Sequence, residues 1–159
     1  MIVERLTAQY DAALAELIRK ILKAHHLDIP GTVYFDKGLD HLSRFYSDYP
    51  EKRAYFIFLN DEEQLIGGIG LAEFELFDSC AELQKLYLSE TERGNGLGYQ
   101  MIALIEKEAR KLGYRRMYLE THDNLSAAIH IYEKAGYTEI ERPEQVVHTT
   151  MNRFYLKEL

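Results

Sequence analysis

The chain of 159 residues has the length of one ordinary domain, and 47% of its residues are hydrophobic while 28% are charged. This composition is typical of a soluble globular protein, and no apolar run approaches the roughly 20 residues that span a membrane. The formal net charge of −7 disfavours nucleic-acid binding, which usually needs a basic surface. We therefore expect a single domain over residues 1–159 that binds neither nucleic acid nor a membrane.

The first six residues contain no basic segment followed by an apolar one, so we expect no signal peptide. Cys80 is the only cysteine, which excludes an internal disulfide and favours a reducing, cytoplasmic setting. We interpret it as a small core residue rather than a nucleophile. We expect no metal site, because no histidine stands at metal-ligand spacing from cysteines or carboxylates. The histidines are His25, His26, His41, His122, His130 and His148.

The first third of the chain combines a strand with helices. Residues 2–6 predict a short strand, and a helix follows the N-cap candidate Thr7 with apolar residues at helical spacing up to His25. Prolines and glycines make residues 27–50 irregular, apart from a short helix at 39–46. The aromatic residues of this irregular region are Tyr34, Phe35, Phe45, Tyr46 and Tyr49.

A hairpin follows, with strands at 54–59 and about 65–77 joined by a turn at 60–63. The second strand contains Gly67, Gly68 and Gly70, which indicate a bulge or a close backbone approach.

The remaining chain alternates between strands and helices. The predicted elements are a strand at 82–88, a helix at 101–112 ended by Gly113, a strand at 116–121, a helix at 126–135 ended by Gly136, and closing antiparallel strands at 137–141 and 146–156. The fold class is therefore mixed α/β, with six or seven mostly antiparallel strands flanked by about four helices. The strand–helix–strand unit over 82–121 should form a right-handed parallel crossover.

A glycine-rich loop, Arg93-Gly94-Asn95-Gly96-Leu97-Gly98, lies between a predicted strand and a predicted helix. Free N–H groups of the first helical turn favour an anion there, and Arg93 can add a charge-assisted contact to a pyrophosphate. The spacing fits neither the dinucleotide fingerprint nor a P-loop. The alternative is a tight connection that binds no ligand.

Two motifs together resemble the GNAT superfamily of N-acetyltransferases. The loop from Arg93 to Gly98 resembles the family's Arg/Gln-x-x-Gly-x-Gly/Ala signature, and residues 86–90 look like the strand and β-bulge that precede it. Residues 127–137, Ala-Ala-Ile-His-Ile-Tyr-Glu-Lys-Ala-Gly-Tyr, resemble the family's second hallmark helix. The close resemblance covers about 82–137.

The resemblance implies a GNAT-like fold in which strand 82–88 splays from strand 116–121 and acetyl-CoA lies between them as cosubstrate. It implies that acetyl-CoA contacts Leu86, Tyr87, Leu88, Arg93, Gly94, Asn95, Gly96, Leu97, Gly98, Tyr99, Asn124 and Ala128. Asn124 departs from the family pattern, because it lies eight rather than seven residues before Tyr132. The resemblance also implies that the irregular region 27–50 covers the acceptor site.

The resemblance implies that Tyr132 is the general acid that protonates the departing thiolate, and a phenol with a pKa of about 10 stays protonated for this role. The alternative for Tyr132 is core packing. Glu82 matches a catalytic glutamate of one branch of the family and is the candidate base, with a structural carboxylate as its alternative and Glu120 as the other candidate base. Alternation along the strand puts Glu82 on the same face as Gln84, Leu86 and Leu88.

We therefore expect transfer of an acetyl group from acetyl-CoA to a primary amine of a small molecule or a peptide, with no metal. A homodimer is compatible with the sequence. The first alternative is an acyl-CoA sensor without turnover, and the second is a nucleotide-binding or purely structural α/β domain.

Overall fold

A computed structural model describes residues 1–147 and 149–159, so the expectation for His148 lies outside the described residues. The seven strands are β1 Ile2–Arg5, β2 Ala54–Leu59, β3 Leu65–Glu73, β4 Cys80–Leu88, β5 Arg116–Thr121, β6 Thr138–Ile140 and β7 Arg153–Glu158. The helices are α1 Asp11–Ala24, α2 Leu42–Asp48, α3 Leu97–Lys111 and α4 Ser126–Lys134, with single 3₁₀ turns between some elements. In the described residues, no helix is long and apolar enough to cross a membrane.

The strands form one sheet in the order β1-β2-β3-β4-β5-β7-β6. Every neighbouring pair is antiparallel except β4 and β5, which are parallel and joined through α3. The predicted mixed α/β class, with its mostly antiparallel sheet and four helices, is confirmed.

Helices cover both faces of this sheet because each strand buries alternate residues on opposite sides. On β2, Ala54 and Phe58 belong to the core cluster that α3 and α4 complete, whereas Tyr55, Ile57 and Leu59 belong to the cluster that α1 and α2 complete. The helical spacing of the buried residues in α1 and α3 places one apolar stripe of each helix on its own face of the sheet.

Several predicted boundaries shift for local reasons. The helix predicted after Thr7 begins only at Asp11, after the 3₁₀ turn Ala8–Tyr10. The strand predicted to reach residue 77 ends at Glu73, because the Phe74 N–H donates to the Cys80 carbonyl and turns the chain into β4. The predicted glycine ends of α3 and α4 are confirmed, since the glycines that follow these helices have φ values of +93° and +96°.

The last strand also begins later than predicted, at Arg153 instead of residue 146. The Thr149 hydroxyl accepts a hydrogen bond from the Met151 N–H, and the Asn152 N–H donates to the Thr121 carbonyl at the end of β5. These bonds use backbone groups that a longer β-ladder would need, so residues 149–152 remain irregular.

A β-bulge in β4 accounts for the glycines of β3. Gly68 pairs with Tyr87 and Gly70 with Gln84, so β4 contains one residue more than β3 across this interval. Lys85 lies at the bulge with φ +52°. The predicted bulge and close approach are confirmed, because a Cβ on Gly68 would lie 2.5 Å from the Tyr55 ring.

The bulge overturns one prediction about the faces of β4. Ala81 and Leu83 pack in the α3–α4 cluster, and so do Leu86 and Leu88. Because the extra residue inverts the alternation, Glu82 does not share a face with Leu86 and Leu88, and that prediction was wrong.

Candidate active site

The parallel strands β4 and β5 separate after a short ladder. Their pairing covers Cys80 to Glu82 on β4 and Arg116 to Tyr118 on β5. Beyond it, a cleft of about 640 Å³ lies between the two strands, the glycine loop and α4, with the end of α1 and the segment that follows it on another side. The predicted splay of the parallel pair is therefore confirmed, and it leaves backbone groups of β4 available to a ligand.

Most of the residues proposed for the site line this cleft. They are Glu82, Leu86, Tyr87, Leu88, Arg93, Gly94, Gly96, Leu97, Gly98, Tyr99, Ala128 and Tyr132, together with the second candidate base, Glu120. Within residues 1–147 and 149–159, the cleft wall includes neither Asn95 nor Asn124.

The glycine loop has the geometry of an anion cradle. Gly94 and Gly96 have φ values of +86° and +76°, and no atom lies within 4 Å of the position a Cβ would take on either. Gly96 is the N-cap of α3, so the backbone N–H groups at the start of this helix border open space. The loop therefore fits a phosphate-bearing ligand, and the positive φ values favour glycine at both positions.

His25 is a cleft residue that sequence reasoning considered only as a metal ligand. It lies just after α1, with its Nε2 3.5 Å from an Arg93 guanidinium nitrogen. The Asn124 side-chain amide donates to the His25 carbonyl at 3.0 Å, and the Asn124 N–H donates to His122 Nδ1. Asn124 therefore ties the end of α1 to the loop after β5. No local sequence pattern predicts the contacts of His25 with Arg93 and Asn124, because these residues are far apart in the chain.

Tyr132 is buried in α4 and lines the cleft. Its ring contacts the Tyr137 ring edge-on, with centroids 6.1 Å apart. Burial raises the pKa of the Tyr132 hydroxyl well above its usual range, so it is protonated at neutral pH. The side chain can therefore donate a proton into the cleft, and it also packs in the core.

Glu82 and Glu120 line the same cleft from neighbouring strands but have different surroundings. Burial, and then the charge of Glu120, raise the pKa of Glu82 from 4.5 to about 7. Among the described residues, the Glu82 carboxylate accepts one side-chain hydrogen bond, and it is long: the Gln84 amide nitrogen lies 3.4 Å from Glu82 Oε1. A carboxylate with such a pKa accepts a proton readily near neutral pH.

Both carboxylate oxygens of Glu120 accept hydrogen bonds, from the Tyr118 hydroxyl at 2.9 Å and the Thr149 hydroxyl at 3.0 Å. Hydroxyl groups therefore engage both Glu120 oxygens, whereas Glu82 has only the one long hydrogen bond among the described residues.

The segment after α1 contributes to the cleft through Leu27, Gly31, Thr32, Val33 and Asp36. None of the five aromatic residues of the irregular region is among the described residues that line it. Tyr46 instead donates to Gln84 at 2.8 Å, and the Phe45 and Tyr49 rings flank the Arg53 guanidinium.

The remaining candidates have structural surroundings. Cys80 packs with Tyr118 and Phe154, and burial raises the pKa of its thiol to about 11, as expected for a core cysteine. In the part of the chain that the structure describes, no three His, Cys, Asp or Glu side chains group as a metal site would require.

Comparison with known proteins identifies the family. The sequence profile of the acetyltransferase (GNAT) family matches residues 16–137. The uncharacterized N-acetyltransferase YjgM of Escherichia coli K12 is 34% identical over 142 residues, which cover 88% of this chain and 83% of YjgM.

Solved structures share the fold. The GNAT-family acetyltransferase of Staphylococcus aureus Mu50 superposes with a TM-score of 0.86 at 20% identity, covering 99% of this chain and 98% of the other. The PaiA N-acetyltransferase of Thermoplasma acidophilum, solved with coenzyme A, superposes with a TM-score of 0.77 at 20% identity over the full length of both chains. The chain therefore belongs to the acetyltransferase (GNAT) family and is an acetyl-CoA-dependent N-acetyltransferase.

Proposed function

We propose that this protein transfers the acetyl group of acetyl-CoA to a primary amine of a small molecule or peptide by direct attack of the amine on the thioester carbonyl. The observation that carries the proposal is the cleft between β4 and β5. It joins an anion-binding helix N-terminus to a buried tyrosine and two carboxylates in one continuous space.

The residues around the cleft fit acetyl-CoA as cosubstrate. The backbone of Leu86, Tyr87 and Leu88 would pair with the pantetheine amides, because β4 has no ladder to β5 at these residues. The loop backbone over Gly94–Tyr99, which includes Asn95, would hold the pyrophosphate together with Arg93. Ala128 would border the ligand from α4, and Asn124 would act through its bond to the His25 carbonyl.

On the way to the amide the acceptor ammonium group loses two protons, and the departing thiolate gains one. An alkylamine with a pKa near 10 is neutral only about one part in a thousand at pH 7, and deprotonating it costs roughly 4 kcal/mol. Glu82 would accept this proton, directly or through water, while Glu120 holds the incoming ammonium group. As the C–N bond forms and the C–S bond breaks, Tyr132 would protonate the departing thiolate, and the second proton lost by the nitrogen would restore the Tyr132 hydroxyl through water.

Glu120 remains the second candidate base. Its two oxygens are already engaged by Tyr118 and Thr149, and this favours Glu82 for proton transfer. We further propose a cytoplasmic location, which the single buried cysteine supports.

The test is release of the CoA thiol from acetyl-CoA in the presence of single primary amines and short peptides. We expect amine-dependent thiol release, with the acetylated amine identified by mass spectrometry. Binding of acetyl-CoA without amine-dependent release at saturation would support an acyl-CoA sensor and refute the proposed transfer.

A further inference from the structure

The β4 bulge holds a lysine in an unfavourable backbone conformation. Lys85 has φ +52°, in the left-handed region that costs a side-chain-bearing residue about 1 kcal/mol or more. The Tyr55 hydroxyl donates to the Lys85 carbonyl at 2.8 Å, and Gly68 and Gly70 leave room for the Tyr55 ring. Two glycines and a tyrosine therefore hold this strained lysine in place.

Lys85 also lacks the partner that a lysine of low exposure normally has. It lines the cleft, and among residues 1–147 and 149–159 its ammonium group forms neither an ion pair nor a hydrogen bond. Burial lowers the pKa of Lys85, although the charges of Asp36 and Glu82 oppose this. A half-buried ammonium group without a partner in the described residues is available to an anionic group of a ligand.

The other charges of the cleft define what such a ligand could be. Glu82 and Glu120 form a negative region, and Lys85 provides a positive group three residues along β4 from Glu82. Lys85 and Glu82 influence each other's pKa but do not form an ion pair, so there is space between the two charges. An acceptor with an ammonium group and a carboxylate a few atoms apart complements both.

We propose that Lys85 binds a carboxylate of the acceptor, so that the preferred acceptors are amino acids or amines that carry a carboxylate close to the reacting nitrogen. This inference rests on the proposed function. Acceptors with several cationic groups fit less well, because Lys85 would repel a second ammonium group. Asp36 is exposed, and solvent screens its repulsion of the carboxylate.

The experiment compares acceptors that differ only at the carboxylate. Each standard L-amino acid that the enzyme accepts is compared with its carboxamide and with its decarboxylated amine. For each of these three acceptors, kcat/KM is measured with the wild type and with Lys85→Gln. Each acceptor is compared between the two proteins, so its intrinsic reactivity cancels. Lys107→Gln is the matched control, because it makes the same charge change at an exposed residue of α3 outside the cleft.

We expect kcat/KM for the amino acids to be about tenfold or more higher in the wild type than in Lys85→Gln, as a charge-assisted contact predicts. The difference should come from a higher KM for the amino acids in the variant, while kcat/KM for both other acceptor types changes by less than about twofold, as expected when one contact is lost. Lys107→Gln should behave like the wild type.

Other outcomes would overturn the inference. If Lys85→Gln leaves kcat/KM for the amino acids unchanged or lowers it equally for all three acceptor types, or if the wild type acetylates amines but no amino acid, Lys85 does not bind a carboxylate and the proposed function still stands. If no amine promotes thiol release, the proposed function fails and this inference fails with it. Thermal unfolding of Lys85→Gln verifies that the variant is folded in each case.

Discussion

Replacing Glu82 by glutamine should stabilise the protein at alkaline pH while impairing its reaction. In the folded protein, burial and the Glu120 charge raise the pKa of Glu82 from 4.5 to about 7. A raised pKa means that the folded state binds the proton more tightly than the unfolded state. The corresponding stability is present below pH 4.5 and is lost as the pH rises to 7.

The size of this effect follows from the shift in pKa. A change from 4.5 to about 7 corresponds to about 3 kcal/mol of unfolding free energy lost between pH 4 and pH 8. Glutamine has a similar shape and no charge, so Glu82→Gln should avoid this loss. For a domain of this size we expect a melting temperature about 6–12 °C above that of the wild type at pH 8, with little difference at pH 4.

Thermal unfolding of both proteins at pH 4 and pH 8 measures this difference directly. Glu16→Gln is a suitable control, because it removes the same charge from an exposed position on α1. The acid limb of the wild-type kcat/KM profile, with an apparent pKa of about 7, should disappear in Glu82→Gln. If the variant and the wild type differed by the same number of degrees at both pH values, Glu82 would not carry the raised pKa and the assignment of the base would be wrong.

Three further substitutions test other parts of the structure. Tyr132→Phe keeps the buried ring and removes the hydroxyl, so turnover should fall by about 10²–10³ with unchanged acetyl-CoA affinity; equal turnover, with chemistry rate-limiting, would exclude the proton-donor role. Gly96→Glu places a negative side chain where φ is +76° and space is open, so calorimetry should detect no CoA binding to a folded variant, and unchanged affinity would contradict the loop's role. Gly68→Ala puts a Cβ 2.5 Å from the Tyr55 ring and should cost about 1–3 kcal/mol in urea unfolding, whereas Gly38→Ala, which meets no atom within 4 Å, should be nearly neutral.

The fold and the ligand loop were predictable because their signals are local. A glycine at the N-cap of α3 with positive φ, between a strand and an amphipathic helix, requires only neighbouring residues to be recognised. The order of hairpin, strand, helix and strand then restricts the sheet to a few strand orders, because a strand–helix–strand crossover is almost always right-handed. These features account for the correct class, whereas the splayed pair and most of the cleft wall were expected from the resemblance to the GNAT superfamily.

The long-range contacts of Gln84 and Glu120 were not predictable in this way. The bonds from Tyr46 to Gln84 and from Thr149 to Glu120 join residues 38 and 29 positions apart. No periodicity encodes such pairs, because they depend on how loops pack after the sheet has formed. The role of His25 beside the glycine loop was missed for the same reason.

The error about the faces of β4 has a more specific cause. Three glycines on β3 indicated a bulge, but the extra residue lies on the opposite strand, at a lysine. The family resemblance indicated a β-bulge at 86–90, but propensity assigns a positive φ to glycine or asparagine and not to lysine, so no local signal placed the extra residue at Lys85. A residue that contradicts local propensity usually has a tertiary or functional cause.

The bulge also explains how one strand can serve both substrates. On the N-terminal side of the bulge, Glu82 and Gln84 lie on the face of β4 opposite the α3–α4 core, where Gln84 accepts a hydrogen bond from the Tyr46 hydroxyl. After it, Leu86 and Leu88 pack in the α3–α4 core. In a regular strand, Leu86 and Leu88 would lie on the same face as Glu82 and away from that core. In the proposed reaction, one extra residue would therefore let the first half of β4 present a carboxylate to the acceptor while the second half, next to the glycine loop, keeps its backbone edge for the cosubstrate.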